Sequence, residues 1–275
     1  MVRQKKLLKN IWRLVGEFMK LIKDLYNYRE LLKTNVKKEI RGKYKGAWLG
    51  VLWSFLNPLL MLMVYSFVFP FIMKINIPNY TMYLMTALMP WNFFTQTIAS
   101  SSFAVIASGG ILKKVYFPRE ILPISVVLSN VVNFLITFII IFLFLIVSGV
   151  GITWTVIFLP IILIVQTILH FGIAFILSST TVYARDIEHI VNVIVMALFY
   201  ATPIVYTIDM LPPKFQTILY LNPMTPIIDS YRNVLFYHKA PNFMTLGIVS
   251  LVSIAIFLFG LFIFRKLQKD FVEEL

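Results

Sequence analysis

An all-α integral membrane protein with six transmembrane helices, both chain ends on the same side, is the fold class this sequence predicts. Three observations carry it. Of the 275 residues, 59% are hydrophobic and only 13% charged, with a mean hydropathy of +0.84, whereas a soluble domain is about one-quarter charged. Uncharged runs long enough to cross a bilayer alternate with short charged links. Lysine and arginine then concentrate in every second link, as the positive-inside rule requires. There is no cysteine, so neither disulfides nor a thiolate metal site can form. The formal net charge of +13 flanks the apolar runs, so it reads as orientation and headgroup contact rather than nucleic-acid binding.

The first element, residues 1–46, is a cytoplasmic amphipathic segment. Leu7, Ile11, Leu14, Val15, Phe18, Leu21, Ile22, Leu25, Tyr28 and Leu32 recur at helical spacing, with lysines, arginines and acids between them. The expectation is one or two helices lying in the membrane interface; a simple polybasic anchor without a partner fits the same pattern. The first long apolar run begins only at Ala47, so no secretory signal is read.

The six-span domain is expected at 47–265. Ala47 to Met73 is uncharged for 27 residues and gives span one. Ile75 to Leu112 is uncharged for 38 residues and gives span two (80–106) plus a loop. Ile121 to Ala184 is uncharged for 64 residues, too long for one helix. "SGVGITW" at 148–154 supplies a turn, leaving spans at 121–147 and 154–182. Spans five and six fall at 190–208 and 242–265, and 266–275 is a tail. Residues 1–46 carry 14 of the 25 basic residues, and only Lys74, Lys214, Arg232 and Lys239 fall on the opposite side. Both termini are therefore expected in the cytoplasm. Trp48, Trp53 and Trp154 suit interfacial aromatic belts.

Between spans five and six lies "FQTILYLNPMTPIIDSYRNVLF" (215–236), an apolar stretch broken by Pro223 and Pro226. Its uncharged core, Phe215 to Ile228, is 14 residues long, short of the about 20 that a span needs. Backbone at membrane depth must be bonded internally or sheltered by protein. Two short helices that dip in and return, turning at Asn222–Pro223, satisfy that. A helical hairpin lying flat on the outer face is the alternative.

Ionisable groups are scarce in the spans. His170, in "ILHFGIAF", is alone there, with no acid or lysine in its span. An intramembrane histidine is a functional candidate, yet a hydrogen bond to a neighbouring helix accounts for it too. No metal-ligand cluster, DxD pair or phosphate loop is present; "RGKYKGAWLG" lacks the required lysine and hydroxyl. Its Gly42, Gly46 and Gly50 instead allow close backbone approach. Catalysis within this chain is therefore not expected. The link "SGGILKKVYFPREILP" (108–123) places Tyr116 and Phe117 beside Lys113, Lys114 and Arg119. Aromatics exposed among charges suggest docking to a partner protein.

Five stretches in series carry a resemblance: "RGKYKGAWLGVLWSFLNPLLMLMVYSFVF" (41–69), "LMPWNFF" (88–94), "KKVYFPREILP" (113–123), "YARDIEHIVNVIVMALFYATPIVY" (183–206) and "YLNPMTPIIDSYRNVLF" (220–236). Over about residues 25–275 the chain resembles the permease subunit of ABC-2-type polysaccharide exporters, which translocate O-antigen, capsule and teichoic acid. The resemblance implies a multi-pass cell-membrane protein and a homodimer of permeases. It implies two copies of a separate ABC ATPase that binds ATP and Mg, so no cofactor in this chain. The cargo it implies is a polymer on an undecaprenyl diphosphate carrier. It assigns ATPase coupling to Ile111–Glu120, with Lys113, Lys114, Tyr116, Phe117, Pro118, Arg119 and Glu120. Arg185, Asp186 and Glu188 fall at the cytoplasmic mouth. Tyr220, Asn222, Pro223, Pro226, Asp229 and Arg232 fall in an outer lid.

Two helical faces fit a sugar path independently. Trp91, Phe94, Thr95, Ser101 and Ser102 share one face of span two at 100° per residue. Asn192, Met196, Phe199, Pro203 and Tyr206 share one of span five. Aromatics stack on sugars, and their polar handles help; the same faces also suit helix–helix packing. An ABC-2 exporter of a drug or small lipid shares the six spans but not the five stretches. A membrane glycosyltransferase or acyltransferase needs acid–base or metal groups that are not found. A non-catalytic membrane scaffold has no use for a re-entrant lid.

The charge distribution yields a topology test, with no native cysteine to interfere. Cysteines at Asn76, Gly149 and Lys214 should react with an impermeant thiol reagent from outside, and those at Ser108, Glu188 and Lys269 should not; reversed labelling rejects the orientation.

Overall fold

The computed structural model describes Gly16, residues 19–44, Gly46, 48–73 and 77–275. Leu7, Ile11, Leu14, Val15 and Phe18 of the amphipathic stripe, and Ala47, Lys74 and Asn76, lie outside the described residues. Among the described residues there is no strand. A helical stretch over 19–27 leads into α1 (Arg29–Tyr44). Then follow α2 (Trp53–Met73), α3 (Tyr80–Ser102), α4 (Gly109–Leu112), α5 (Ile121–Val147) and α6 (Leu159–Tyr183). The chain continues with α7 (Ile187–Tyr200), α8 (Pro213–Leu219), α9 (Met224–Leu235), α10 (Phe243–Leu267) and α11 (Phe271–Glu274).

Among the described residues, three stretches are long and apolar enough to cross a membrane: Ile121–Val147, Trp154–Tyr183 and Phe243–Glu274. Leu56–Ile72 in α2 and Ile187–Tyr200 are shorter apolar helices. The glycine-rich turn between α5 and α6 forms where the sequence places it. Gly149 and Gly151 sit at φ +73° and +81°, a region open to glycine but costly for other residues. α10 begins on Asn242, whose side chain accepts from the backbone N–H of Met244 and Thr245 at 3.1 and 3.3 Å, satisfying donors the first helical turn leaves free.

α3 is the centre of the bundle, packed by α2, α5, α6, α7 and α9. Tyr83, Leu84, Met85, Thr86, Ala87 and Leu88 on it are wholly buried. This explains its composition. A helix wrapped by other helices never meets lipid, so it tolerates Thr86, Thr97, Ser101 and Ser102 in its interior. Thr86 and Thr97 return their hydroxyls to backbone carbonyls one turn back, at 2.9 and 2.7 Å. Gln166 of α6 crosses to the Pro90 carbonyl at 2.9 Å.

α6 and α10 make the closest helix pair. Gly172 and Gly260 face each other at the crossing. A Cβ on Gly260 would lie 2.2 Å from the Gly172 carbonyl oxygen, and one on Gly172 would lie 2.6 Å from the Phe257 nitrogen. Small residues bring backbones this close where no hydrophobic force between helices operates.

α7 departs from the expected span at 190–208. It stops at Tyr200, 14 residues long; at 1.5 Å per residue that is about 21 Å, short of a bilayer core of about 30 Å. Pro203 is the reason, because the residue before a proline is driven out of the α region. The chain then turns over 201–206, buried from Thr202 to Val205, and the carbonyls of 203–206 have no helical partners. Side chains from elsewhere supply them. Arg232 donates to Pro203 O at 2.8 Å and Ile204 O at 3.1 Å. Tyr80 donates to Val205 O at 2.8 Å, and Tyr83 to Tyr206 O at 2.9 Å. The Arg232 guanidinium also lies 3.9 Å from the centroid of the Tyr83 ring.

The two ends of the bundle differ. At one end, which we term basal, Leu21, Phe117, Phe175, Phe264 and Phe271 share a buried cluster, so the N-terminal helices and the chain's C-terminus lie together. Lys43 of α1 donates to the Asn130 side chain of α5, and Asn130 donates to Ser100 of α3 at 3.0 Å. At the opposite, apical end the α5–α6 turn is stitched to the chain after α9. The two His238 ring nitrogens meet Thr153 Oγ1 at 2.8 Å and Val150 O at 3.0 Å.

Two substitutions test these contacts by thermal melting of the detergent-purified protein. Gly260→Ala should destabilise by about 1–3 kcal/mol, because the clash is with backbone that cannot turn aside. Gly247→Ala on the same helix, with nothing within 4 Å of its Cβ, should be neutral; equal melting of the two variants rejects the crossing. Arg232→Met should cost about 3–5 kcal/mol, since it strands carbonyls and leaves Asp229 unpaired. Melting like the unsubstituted protein would exclude that role.

Candidate functional site

α2, α3 and α7 enclose a groove of about 590 Å³. Asn57, Pro58, Met61 and Tyr65 line it from α2; Trp91, Asn92, Thr95 and Gln96 from α3; Val195, Met196, Phe199 and Tyr200 from α7. The aromatic wall is continuous. Phe199 lies 5.9 Å from Trp91 and 6.0 Å from Tyr65, ring centre to ring centre. No lining residue carries a charge. Three side-chain amides and one threonine share the lining with the aromatics, the Thr95 hydroxyl donating to Asn92 O at 3.1 Å. A small adjoining cavity of about 20 Å³ shares Pro58, Asn92 and Gln96 and adds Asn130, Asn133 and Thr137. It has room for one water. The amide strip thus runs from the groove to Asn130, where Lys43 bonds.

The two faces expected to line a path are split by the structure. Trp91, Thr95 and Phe199 reach the groove. Phe94, Ser101 and Ser102 lie inside the protomer, with Phe94 packed 5.6 Å from His170 and 5.2 Å from Trp91. Asn192 is exposed on α7 below the groove. Tyr206 lies beyond the end of α7, so the helical wheel that joined it and Pro203 to that face does not apply; its hydroxyl donates to Tyr200 O at 2.9 Å. The wheel identified a period but not which side of the enclosed helix α3 meets the opening. Asn57, Tyr65, Asn92, Gln96 and Tyr200 were missed. Amides inside an apolar run are the signal that could have found Asn57, Asn92 and Gln96. His170 is held among Phe93 and Phe94, 4.3 and 5.6 Å away, away from the groove.

At the basal end the link after α3 is not one helix. α4 covers only Gly109–Leu112, and Val115 to Pro118 has no regular structure. The aromatic pair divides. Tyr116 is 93% exposed and Phe117 only 5%. Lys113, Lys114 and Val115 are exposed beside Tyr116, whereas Phe117 anchors the link in the basal cluster. Pro118 and Arg119 are half-buried, and Glu120 is buried against Arg265. Arg185 and Asp186 are exposed in the α6–α7 turn at this end, with Glu188 half-buried in the first turn of α7.

At the apical end α8 and α9 occupy the proline-broken stretch, with the break over 220–223. Asn222 makes the turn. Its Oδ1 accepts from the Met224 N–H at 3.0 Å and its Nδ2 donates to Thr202 Oγ1 at 2.8 Å. Pro223 is half-buried and Pro226 buried. Tyr220 donates to Asp229 Oδ2 at 2.8 Å, and Asp229 Oδ1 lies 3.7 Å from Arg232 Nη1. Burial pushes the Asp229 carboxyl above its ordinary range, against the pull of Arg232 and the Tyr220 hydroxyl. All six residues of the expected lid therefore fall in or beside one connected cluster.

Comparison with known proteins identifies the family of the chain. The ABC-2 type transporter family matches residues 30–236. The O-antigen export system permease protein RfbA of Klebsiella pneumoniae is 40% identical over 248 residues, covering 90% of this chain and 95% of that protein. The protein of the same name from Myxococcus xanthus is 31% identical over 259 residues, covering 94% and 100%. The polysialic acid transport protein KpsM of Escherichia coli is 21% identical over 239 residues, covering 84% and 91%. With its apolar helices, the chain is a multi-pass membrane protein, and it belongs to the ABC-2 type transporter family.

Proposed function

We propose that this chain is the channel-forming permease subunit of an ATP-driven exporter, moving an undecaprenyl-diphosphate-linked polysaccharide of the O-antigen or teichoic acid type across the cytoplasmic membrane. The observation that carries the reading is the uncharged aromatic and amide groove. Pyranose rings present apolar faces to Trp91, Phe199, Tyr65 and Tyr200, and their hydroxyls meet Asn57, Asn92 and Gln96. Without fixed charge there is no deep electrostatic minimum to arrest a moving polymer. The names of the relatives, export permeases for O-antigen and a transporter for polysialic acid, support the same substrate class.

A second copy of the chain completes the passage. α7 is apolar, yet no residue on it is buried within one chain. Leu60, Met61, Val64, Phe67 and Phe71 of α2 are exposed as well. A partner protomer packed on this side turns two open grooves into one conduit. The ATPase, a separate subunit in this reading, meets the exposed Lys113–Tyr116 edge at the basal, cytoplasmic end. α8 and α9 form the outer lid.

The lack of native cysteine permits a direct test. Thr95→Cys or Met196→Cys, alkylated with a bulky thiol reagent, should lower polymer export in cells at least tenfold, and polymer in transit should slow the alkylation. Ile139→Cys, exposed elsewhere on the bundle, should export normally after the same treatment. Export unchanged by modification at both groove positions removes the conduit.

A further inference from the structure

The link between α3 and α5 is gripped along its inner face by the chain's own C-terminal segment. Arg265 Nε donates to Glu120 Oε1 at 3.1 Å, across 145 residues of sequence. Both side chains are largely buried, 18% and 10% exposed. The Arg119 guanidinium lies 5.9 Å from the centre of the Phe271 ring. Phe271 is wholly buried and meets Phe264 at 5.5 Å, in the cluster that holds Phe117. The Leu275 side chain lies 3.7 Å from where a Cβ on Gly109 would stand. Tyr183 donates to Leu267 O at 2.8 Å, which fixes the root of the tail to α6. The tail thus follows the link from Glu120 back to Gly109, while Lys113 to Tyr116 stay exposed on the other side.

We propose that residues 265–275 are a brace for this link, with Glu120, Arg265 and Phe271 as positioning residues that pass its displacement into α10 as well as α5. The proposal rests on the reading of the link as the place where the ATPase docks. The physical need is plain. From Val115 to Pro118 the link has no regular secondary structure of its own. A push on such a segment is lost in bending unless its far side is held. Phe117 and Phe271 hold it by packing. The Glu120–Arg265 pair joins the start of α5 to the end of α10, so the two helices are displaced together. A buried pair of this kind is directional, because moving one charge away from the other exposes both to an apolar surround. α10 is in turn bound to α6 at the Gly172–Gly260 crossing, so a displacement entering at the link reaches both long apolar helices.

The test has two arms on the full-length protein. In the first, the purified permease alone is followed by amide hydrogen exchange. Phe271→Ala should raise exchange of the amides over 111–120 at least tenfold while α3 stays protected; unchanged protection there overturns the brace. In the second, the permease is assembled with its ATPase, and polymer exported per ATP hydrolysed is measured. Glu120→Arg and Arg265→Glu should each lower this ratio several-fold at unchanged ATPase binding, and the double exchange should restore at least half of it. Where a charge reversal does not fold, Glu120→Gln with Arg265→Gln replaces it, and the expected loss of ratio is the same. A ratio unchanged by the single variants, or not regained on exchange, overturns the role in transmission. If the unsubstituted permease binds no ATPase through Lys113–Tyr116, the docking reading and the transmission role fall together, while the exchange result on the permease alone still decides the brace.

Discussion

Four consecutive backbone carbonyls, from Pro203 to Tyr206, impose the constraint on which much of the apical end depends. They lie beyond the last turn of α7, buried from Pro203 to Val205 and half-buried at Tyr206, with no helical partners of their own. A carbonyl buried without a donor costs about as much as a lost hydrogen bond, and in an apolar surround water does not relieve it. Each accepts from a side chain: Arg232, twice, then Tyr80 and Tyr83. The donors come from α3 and α9, so the end of α7 fixes both. Asn222 adds a bond from the α8–α9 turn to Thr202. A charged residue in an apolar helix is thereby accounted for. Arg232 has the several donors in a planar fork that this task requires, and an aromatic face beneath it.

The central position of α3 follows from the same economy of polar groups. Helices that face lipid must be apolar on the side that meets it. One helix enclosed by five others is released from that rule, and α3 uses the freedom to carry amides and hydroxyls to the groove and to the Asn130 strip. The groove is therefore built where the wrapping by α2 and α7 is incomplete. The polar helix of the bundle and the open side of the bundle coincide.

Much of this was legible in the sequence, for reasons specific to each element. The uncharged runs gave the helices, because burying a charge in hydrocarbon is costly enough to be avoided. "SGVGITW" gave its turn because two residues there need positive φ, and Asn222–Pro223 gave the break between α8 and α9. Other features left no local trace. Tyr116 and Phe117 are adjacent aromatics, and nothing in composition says that one is exposed and the other buried. Glu120 and Arg265 stand 145 residues apart. Gly172 and Gly260 stand in separate helices, without the paired spacing that marks a helix contact. The side of α3 that meets the groove is offset by about one residue from the face read on the helical wheel, because periodicity describes a helix and not its neighbours. The early stop of α7 was signalled by Pro203, but the uncharged run continued past it to Ile208 and hid the signal.

The turn at 201–206 also sets an order for synthesis. Chains are made from the N-terminus, and domains fold largely in that direction. Tyr80 and Tyr83 precede the turn by more than a hundred residues, so two of its carbonyls have donors ready as they emerge. Pro203 O and Ile204 O do not. Their donor, Arg232, is made 29 and 28 residues later. Until it arrives the partly inserted chain holds two bare carbonyls within the bundle, and α7 cannot settle. The two Arg232 bonds can therefore close only once α7, α8 and most of α9 have been made. A ribosome stalled between Ile204 and Arg232 leaves a permease that cannot finish its apical end.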